Sequence, residues 1–222
     1  MRKLKESRRP EIVDAALAVV AERGIEALSM RAVAGRIGLT SMALYGYFRG
    51  KDELLDAIIG RVLADISRPA ADVDWRETIR HLALEVRTTA RRYPSVFPLL
   101  FTRPAVSPSA IMIIDLLFEA LLRAGVEPSQ VPRMERMVST FILGYAISEV
   151  SGRFSEGSLD TRSRRAQLRP DELPGHQSLA DQLDAPVDWD DEFRVDLDAL
   201  LDVVAGEATS MSKRPRRGKA AT

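Results

Sequence analysis

The chain has 222 residues, of which 45% are hydrophobic and 29% are charged, and its formal net charge at pH 7 is zero. The absence of cysteine excludes a disulfide framework, a thiolate nucleophile and a cysteine metal site. Apolar stretches such as residues 110–122 are interrupted by Asp115 and Glu119 and are too short to span a bilayer. No apolar run follows the basic first residues, so we expect a cytoplasmic protein without a signal peptide or membrane contact.

The neutral total hides an uneven distribution of charge. Residues 1–51 carry ten Lys/Arg against five Asp/Glu, a balance of +5, whereas residues 171–207 carry one Arg against twelve acids, a balance of −11. The basic N-terminal segment favours contact with phosphates, and the alternative is a solvated basic arm without a function. Residues 213–219 add five positive charges, and we expect residues 209–222 to form a basic, disordered tail.

Residues 29–51 have the pattern of a helix-turn-helix. Apolar residues at helical spacing predict a preceding helix that ends at Gly24. Two short helical segments then flank a turn at Gly38, and Ser29 and Thr40 stand where their hydroxyls can cap these segments. The side chains expected to face the core are Leu44 and Phe48. In such a motif the second helix enters the major groove of DNA; the alternative is one more helical hairpin in an all-α protein.

The remaining sequence predicts helices throughout, because no alternating strand pattern occurs. The predicted helices cover residues 52–66, 75–92, 95–101, 108–124, 128–150 and 190–208. Between the last two, residues 151–188 are rich in Gly, Pro, Ser and charge, which predicts a long loop with a short helix near residues 178–183. The fold class is therefore all-α.

The N-terminal segment resembles the DNA-binding domain of the tetracycline-repressor (TetR) family, without gaps from about residue 11 to residue 63. The motifs that carry the resemblance are G-I-E-A-L-S-M-R at 24–31, A-L-Y-G-Y-F at 43–48 and K-D-E-L-L at 51–55. Shorter similarities at 75–77, 101–104 and 140–144 resemble the regulatory domain of tetracycline repressors. The resemblance implies a helix-turn-helix domain at 1–51, a helical ligand-binding and dimerisation domain at 52–208, and the tail at 209–222.

The direction of the recognition helix assigns DNA contacts, because its N-terminal residues meet the base edges. Tyrosines further along this helix can reach phosphate or sugar, although Tyr45 could instead pack in the core. The resemblance adds Arg31 in the preceding helix and Lys51 as a phosphate contact. The candidate DNA-binding residues are Ser29, Arg31, Thr40, Ser41, Met42, Ala43, Tyr45, Tyr47 and Lys51.

The resemblance also implies a homodimer, formed by residues 128–150 and 190–208 as a four-helix bundle. A helix-turn-helix protein that reads a two-fold symmetric operator needs two recognition helices one DNA turn apart, about 34–36 Å. The alternative is that both apolar stripes are consumed within the core of one chain. We favour the dimer, with double-stranded operator DNA as its partner.

Tetracycline repressors bind a magnesium–drug chelate, but the matching positions here have lost most polar groups. Leu99 stands where the family places a histidine, and only Thr102 and Arg103 are retained. A hard cation needs oxygen or imidazole ligands, so the sequence predicts an apolar or weakly polar effector and no metal. The candidate ligand-binding residues are Leu82, Val86, Leu99, Thr102, Arg103, Ile114, Leu117, Thr140 and Tyr145. The alternative is that these residues are merely core and that no inducer exists.

Nothing in the sequence indicates catalysis or a cofactor. His81 and His176 are the only histidines and do not form a metal-binding pattern, and no G-x-S-x-G, P-loop or G-x-G-x-x-G motif occurs. The sequence therefore favours a repressor that a small molecule releases from its operator, and not an enzyme. A DNA-binding regulator without a small-molecule inducer is the alternative.

Overall fold

The computed structural model describes residues 2–103, 106–155 and 161–212, and these residues form helices and turns without a strand. The helices are α1 (Arg2–Arg23), α2 (Met30–Arg36), α3 (Ser41–Tyr45), α4 (Lys51–Leu63), α5 (Trp75–Arg92), α6 (Pro108–Arg123), α7 (Val131–Val150), α8 (Thr161–Arg165), α9 (Pro174–Ser178), α10 (Ala180–Leu183) and α11 (Trp189–Ser212). Short 3-10 turns lie at Ile25–Ala27, Phe97–Phe101 and Pro170–Glu172. The all-α prediction is confirmed.

Local hydrogen bonds form the helix-turn-helix as the sequence predicts. The hydroxyl of Ser29 accepts from the amide of Ala32 at 3.1 Å and starts α2. Gly38 adopts a φ of 65°, a left-handed conformation that is strained for residues with a side chain. The hydroxyl of Thr40 then accepts from the amide of Ala43 at 3.1 Å and starts α3. Both predicted caps and the predicted glycine turn are confirmed.

The four N-terminal helices share one apolar core. Leu44 of α3 is fully buried and Phe48, just after it, is 1% exposed, as expected. They pack in one cluster with Ile12 of α1 and Val33 of α2. This cluster continues along α4 through Ile58. The core that supports the helix-turn-helix therefore extends beyond residue 51, the expected domain boundary.

A second core lies between α5, α6, α7 and α11. Its buried side chains include Leu82, Leu121, Met134 and Phe193. Residues partly buried between helices, such as Ile66 and Leu100, touch both cores. The two cores are therefore in contact through the C-terminal end of α4 and the turn after α5.

Several predicted helix bounds differ from the structure. The fourth helix ends at Leu63 and not at residue 66. Helix α7 begins at Val131 and not at residue 128, because the amide of Gln130 donates to the carbonyl of Glu127 at 2.8 Å and closes a turn first. Helix α11 continues to Ser212, so the first residues expected in the disordered tail are helical. The rest of that tail, 213–222, lies outside the described residues.

The segment 151–188 contains more helix than expected. The short helix expected near 178–183 is two helices, α9 and α10, which meet at Leu179, and α8 lies upstream of them. No helix in the described part of the chain is long and apolar enough to cross a membrane.

Candidate DNA interface and effector cavity

Burial of Leu44 turns the opposite side of α3 to solvent. Met42 is 80% exposed and Tyr45 is 50% exposed, although both are large hydrophobic side chains. Side chains at this exposure are available for contact with a partner and contribute little to the core. The core alternative for Tyr45 therefore does not describe its observed environment.

Most candidate DNA-binding residues are exposed to solvent. The exposed ones are Ser29, Arg31, Thr40, Met42, Ala43, Tyr45 and Lys51. Ser41 is half-buried, and the half-buried Tyr47 packs against the N-terminal core. Tyr47 is therefore less available to DNA than its place among the candidates implies, whereas Leu44 is buried as expected.

Arg9 of α1 fastens the end of the recognition helix, a contact that sequence reasoning missed. Its guanidinium lies 4.1 Å from the centre of the Phe48 ring, donates to the carbonyl of Tyr47, and donates to Glu53 at 2.9 Å. Hydrogen bonds from the Arg49 amide and then from Arg9 hold the pKa of Glu53 below its usual value, although burial opposes them. In sequence, Arg9 is one of many basic residues, and no local signal separates it from the others.

An apolar cavity lies between α4, α5, α6 and α7, with a volume of about 220 Å³. We call it the chamber. Its lining residues are Leu63, Ile66, Leu82, Val86, Leu100, Arg103, Ala110, Ile113, Ile114, Leu117, Glu135, Ser139, Ile142 and Leu143. Almost all of them are hydrophobic, which suits an apolar occupant.

Five of the candidate ligand-binding residues line the chamber: Leu82, Val86, Arg103, Ile114 and Leu117. The other four do not. Leu99 packs against the N-terminal core, and the hydroxyl of the exposed Thr102 donates to the carbonyl of Leu99 at 3.2 Å. Thr140 is exposed on α7. Tyr145 is buried away from the chamber, because its hydroxyl donates to the carbonyl of Trp189 at 2.7 Å.

The lining also includes residues that sequence reasoning missed, among them Leu63, Ile66, Glu135, Ser139 and Leu143. Glu135 and Ser139 are one turn apart on α7 and add polar groups to the wall. An amphipathic stripe in the sequence marks these helices as packed, but it does not tell which of their residues border an empty space.

Arg103 connects the chamber to the first turns of α4. Its guanidinium donates to Asp56 at 2.9 Å, to the Asp52 carboxylate at 3.2 Å and to the Asp52 carbonyl at 3.1 Å. Its side chain is 21% exposed, so these contacts are only partly screened by water. A cavity-lining cation is thereby bound to the helix that shares its core with the helix-turn-helix.

The buried cation Arg87 joins α5, α7 and α11 through its ion pairs. Arg87 is 5% exposed and pairs with Glu149 at 2.6 Å and with Asp190 at 2.7 Å. Its guanidinium also lies over the rings of Tyr145 and Phe193. Burial raises the pKa of Tyr145 to about 12. This cluster ties the helices together and leaves Tyr145 as a neutral hydrogen-bond donor.

The histidines are not arranged for metal binding. The Nε2 atom of His81 lies 3.1 Å from both the hydroxyl and the carbonyl oxygen of Ser67, and His176 is exposed on α9. Within the described ranges, no group of three His, Asp or Glu side chains could hold a metal ion.

An exposed recognition helix in one apolar core and a cavity in a second set of helices are typical of a helix-turn-helix transcriptional regulator with a separate helical domain. Comparison with protein-family models agrees. The model for bacterial regulatory proteins of the tetR family matches residues 12–58, and the model for the tetracyclin repressor-like C-terminal domain matches residues 68–206. The chain therefore belongs to the TetR family of DNA-binding transcriptional regulators, which are not enzymes.

Known proteins with similar sequences are regulators of the same family. The HTH-type transcriptional repressor DrrR1 of Streptomyces coeruleorubidus is 31% identical over 162 residues, which are 71% of this chain and 60% of that protein. The class A tetracycline repressor protein from transposon 1721 of Escherichia coli is 30% identical over 169 residues, which are 72% of this chain and 74% of that protein.

Among solved structures, apo ActR from Streptomyces coelicolor superposes with a TM-score of 0.79 at 21% identity, covering 91% of this chain and 97% of ActR. ActR in complex with actinorhodin superposes with a TM-score of 0.77. At this identity, the similarity establishes the shared fold.

Proposed function

We propose that the chain is a repressor that binds a pseudo-palindromic operator as a homodimer and leaves it when an apolar small molecule fills the chamber. The observation that carries this proposal is the position of Arg103, which lines the chamber and pairs with two carboxylates of α4. A ligand in the chamber and the helix-turn-helix would thus both be coupled to α4.

The DNA-binding part of the proposal rests on α3. Met42 and Tyr45 are exposed on α3, Arg31 is exposed on α2, and the exposed Lys51 begins α4. A cation at Lys51 can neutralise a phosphate, while side chains near Thr40 reach base edges. The basic balance of residues 1–51 supports attraction to DNA.

The proposed dimer rests on symmetry and on the outer surface of α11, because the apolar stripes of α7 and α11 that we expected at the dimer interface are buried in the core of one chain. An operator with two-fold symmetry requires two recognition helices related by the same symmetry. On α11, Val195 is 58% exposed and Val203 is 55% exposed. Apolar side chains at this exposure on a long helix suit packing against a second copy.

The effector part rests on the chamber and on the movement of α4. Leu63, at the end of α4, forms part of the chamber wall, and Arg103 holds Asp52 near its start. A molecule that fits best when α4 is displaced shifts the population away from the DNA-binding conformation. The complex of ActR with actinorhodin supports the proposal that this fold can accept a small molecule.

The test is the variant Arg103→Ala, with Arg80→Ala as its control because Arg80 forms a comparable pair with Asp198 at 2.8 Å between α5 and α11. A thermal-shift panel of apolar compounds first provides an effector. We expect Arg103→Ala to keep its operator affinity and to lose release by that compound, while Arg80→Ala retains both. Equal loss of DNA binding and release in Arg103→Ala contradicts the proposed coupling. A regulator without an inducer predicts that no compound raises the melting temperature although DNA binding persists.

A further inference from the structure

The chamber adjoins a second cavity of about 180 Å³ between the end of α4 and α6. The two cavities share the lining residues Leu63, Ile66 and Ile113. The chamber alone is smaller than typical sites for drug-sized ligands, which enclose roughly 300–1,000 Å³. Together the two volumes fall within that range, so the two cavities offer room for one elongated occupant.

The second cavity borders an open depression at the surface, which we call the mouth. It has a volume of about 600 Å³ and shares Arg68 and Leu116 with the second cavity. Its polar lining residues are Arg68, Thr78, Glu119 and Arg123. From the chamber to the mouth, the lining thus changes from apolar to charged.

The two arginines of the mouth are not neutralised by acids in the described part of the chain. Arg123 donates to the carbonyl of Val73 at 3.0 Å and to the hydroxyl of Thr78 at 2.9 Å. A terminal nitrogen of Arg68 lies 2.8 Å from the sulfur of Met112. Glu119 forms no described ion pair with either, so the lining carries two positive charges and one negative charge.

We propose that the effector is amphipathic: its apolar body occupies the chamber and the second cavity, and an anionic terminal group binds Arg68 and Arg123 at the mouth. This inference rests on the proposed function and specifies its ligand class. A carboxylate suits the site, because an arginine guanidinium donates two parallel hydrogen bonds to a carboxylate.

The test compares three probes with the same decyl chain: decanoate, 1-decanol and decyltrimethylammonium. Binding is measured by isothermal titration calorimetry, with decanoate and decyltrimethylammonium below their micelle-forming concentrations and 1-decanol below its solubility limit. We expect decanoate to bind at least about fivefold more tightly than 1-decanol at low salt, and decyltrimethylammonium to bind most weakly, because partly exposed charge pairs contribute modestly.

Variants test where the charged group and the decyl chain of each probe bind. Arg68→Gln and Arg123→Gln should each reduce the advantage of decanoate over 1-decanol by about threefold and leave 1-decanol unchanged, since water screens such pairs. Arg194→Gln, which alters an exposed arginine on α11, serves as the matched control and should change neither probe. Ile113→Trp fills the junction of the two cavities and should weaken both probes.

The outcomes separate this inference from the proposed function. Equal binding of decanoate and 1-decanol, or an advantage that survives both mouth variants, overturns the anionic group and leaves the apolar effector site intact. If Ile113→Trp leaves the binding of both probes unchanged, their decyl chains bind elsewhere on the protein, and the inference is also overturned. Failure of every probe to bind, while the protein still binds DNA, contradicts the apolar effector site itself.

Discussion

Replacing Glu149 by glutamine removes the carboxylate that pairs with the buried Arg87. In the structure, Glu149 accepts from two nitrogens of Arg87, at 2.6 and 3.0 Å, and from Arg91 at 2.6 Å. Its own side chain is 18% exposed. The variant keeps the size of the side chain and one acceptor oxygen, so it tests the charge and not the packing.

The size of the expected loss in unfolding free energy depends on the partners that Arg87 keeps in the variant. Removing one partner of a buried ion pair typically costs about 3–5 kcal/mol. Asp190 stays 2.7 Å from the guanidinium and the glutamine oxygen can still accept, which reduces this penalty. Arg91 is 48% exposed, so losing its contact adds little. We expect Glu149→Gln to lower the free energy of unfolding by about 2 kcal/mol at pH 7, within the range of charged hydrogen bonds.

The pH dependence of this difference has a definite sign. Burial by itself raises the pKa of Glu149, but the hydrogen bonds from Arg87 and Arg91 outweigh it, so the pKa lies below its usual value of 4.5. A depressed pKa stabilises the fold above the pKa of the unfolded chain, and this contribution disappears as the pH falls through the folded-state pKa. The difference between wild type and Glu149→Gln should therefore be full at pH 7 and shrink below about pH 4.5.

Urea unfolding, followed by circular dichroism from pH 7 down to the lowest pH at which both proteins stay folded, measures this difference. Glu192→Gln is the control, because Glu192 is exposed on α11 and should show a much smaller effect. A loss below about 0.5 kcal/mol at pH 7, the range of ordinary surface substitutions, refutes the reasoning. A loss that is unchanged through the acid range refutes it equally.

Three further predictions concern the DNA-reading surface. Thr40→Ala removes the cap on Ala43 and should cost about 1 kcal/mol in urea unfolding, and fluorescence anisotropy should show weaker DNA binding as well. Met42→Ala should weaken binding to the preferred DNA site in the same anisotropy assay while the urea midpoint stays unchanged, since this side chain is 80% exposed. If Lys51 contacts a phosphate, Lys51→Gln should make the negative slope of log K against log salt shallower by about 1 per chain. An unchanged slope contradicts that contact.

Local patterns were sufficient to predict the helix-turn-helix. The caps at Ser29 and Thr40 and the turn at Gly38 depend only on neighbours within one helical turn, and the helical spacing of Leu44 and Phe48 marks the face that is buried. Such short-range interactions are encoded by residue type and spacing. The contacts of Arg9 with Tyr47 and Glu53 are different, because they join residues more than thirty positions apart. No regular spacing in the sequence indicates such contacts.

The chamber could be predicted only in part, for the same physical reason. Leu82 and Leu117 face it as expected, but Ser139 and Ile66 line it because four helices converge there. Tyr145 lies on the apolar stripe of α7 as expected, yet its hydroxyl is turned to the carbonyl of Trp189 at the start of α11. Periodicity predicts which face of a helix is buried, whereas the crossing of helices decides whether that face meets a neighbour or a cavity.

In vitro selection from a random DNA library tests the central claim most directly. Two symmetry-related copies of α3 should enrich an inverted repeat whose half-sites have centres about 10–10.5 base pairs apart, or a multiple of that spacing. The variant Met42→Ala should enrich the same repeat less strongly. Enrichment of one asymmetric half-site, or of no sequence at all, would contradict the account of a paired protein that reads DNA through α3.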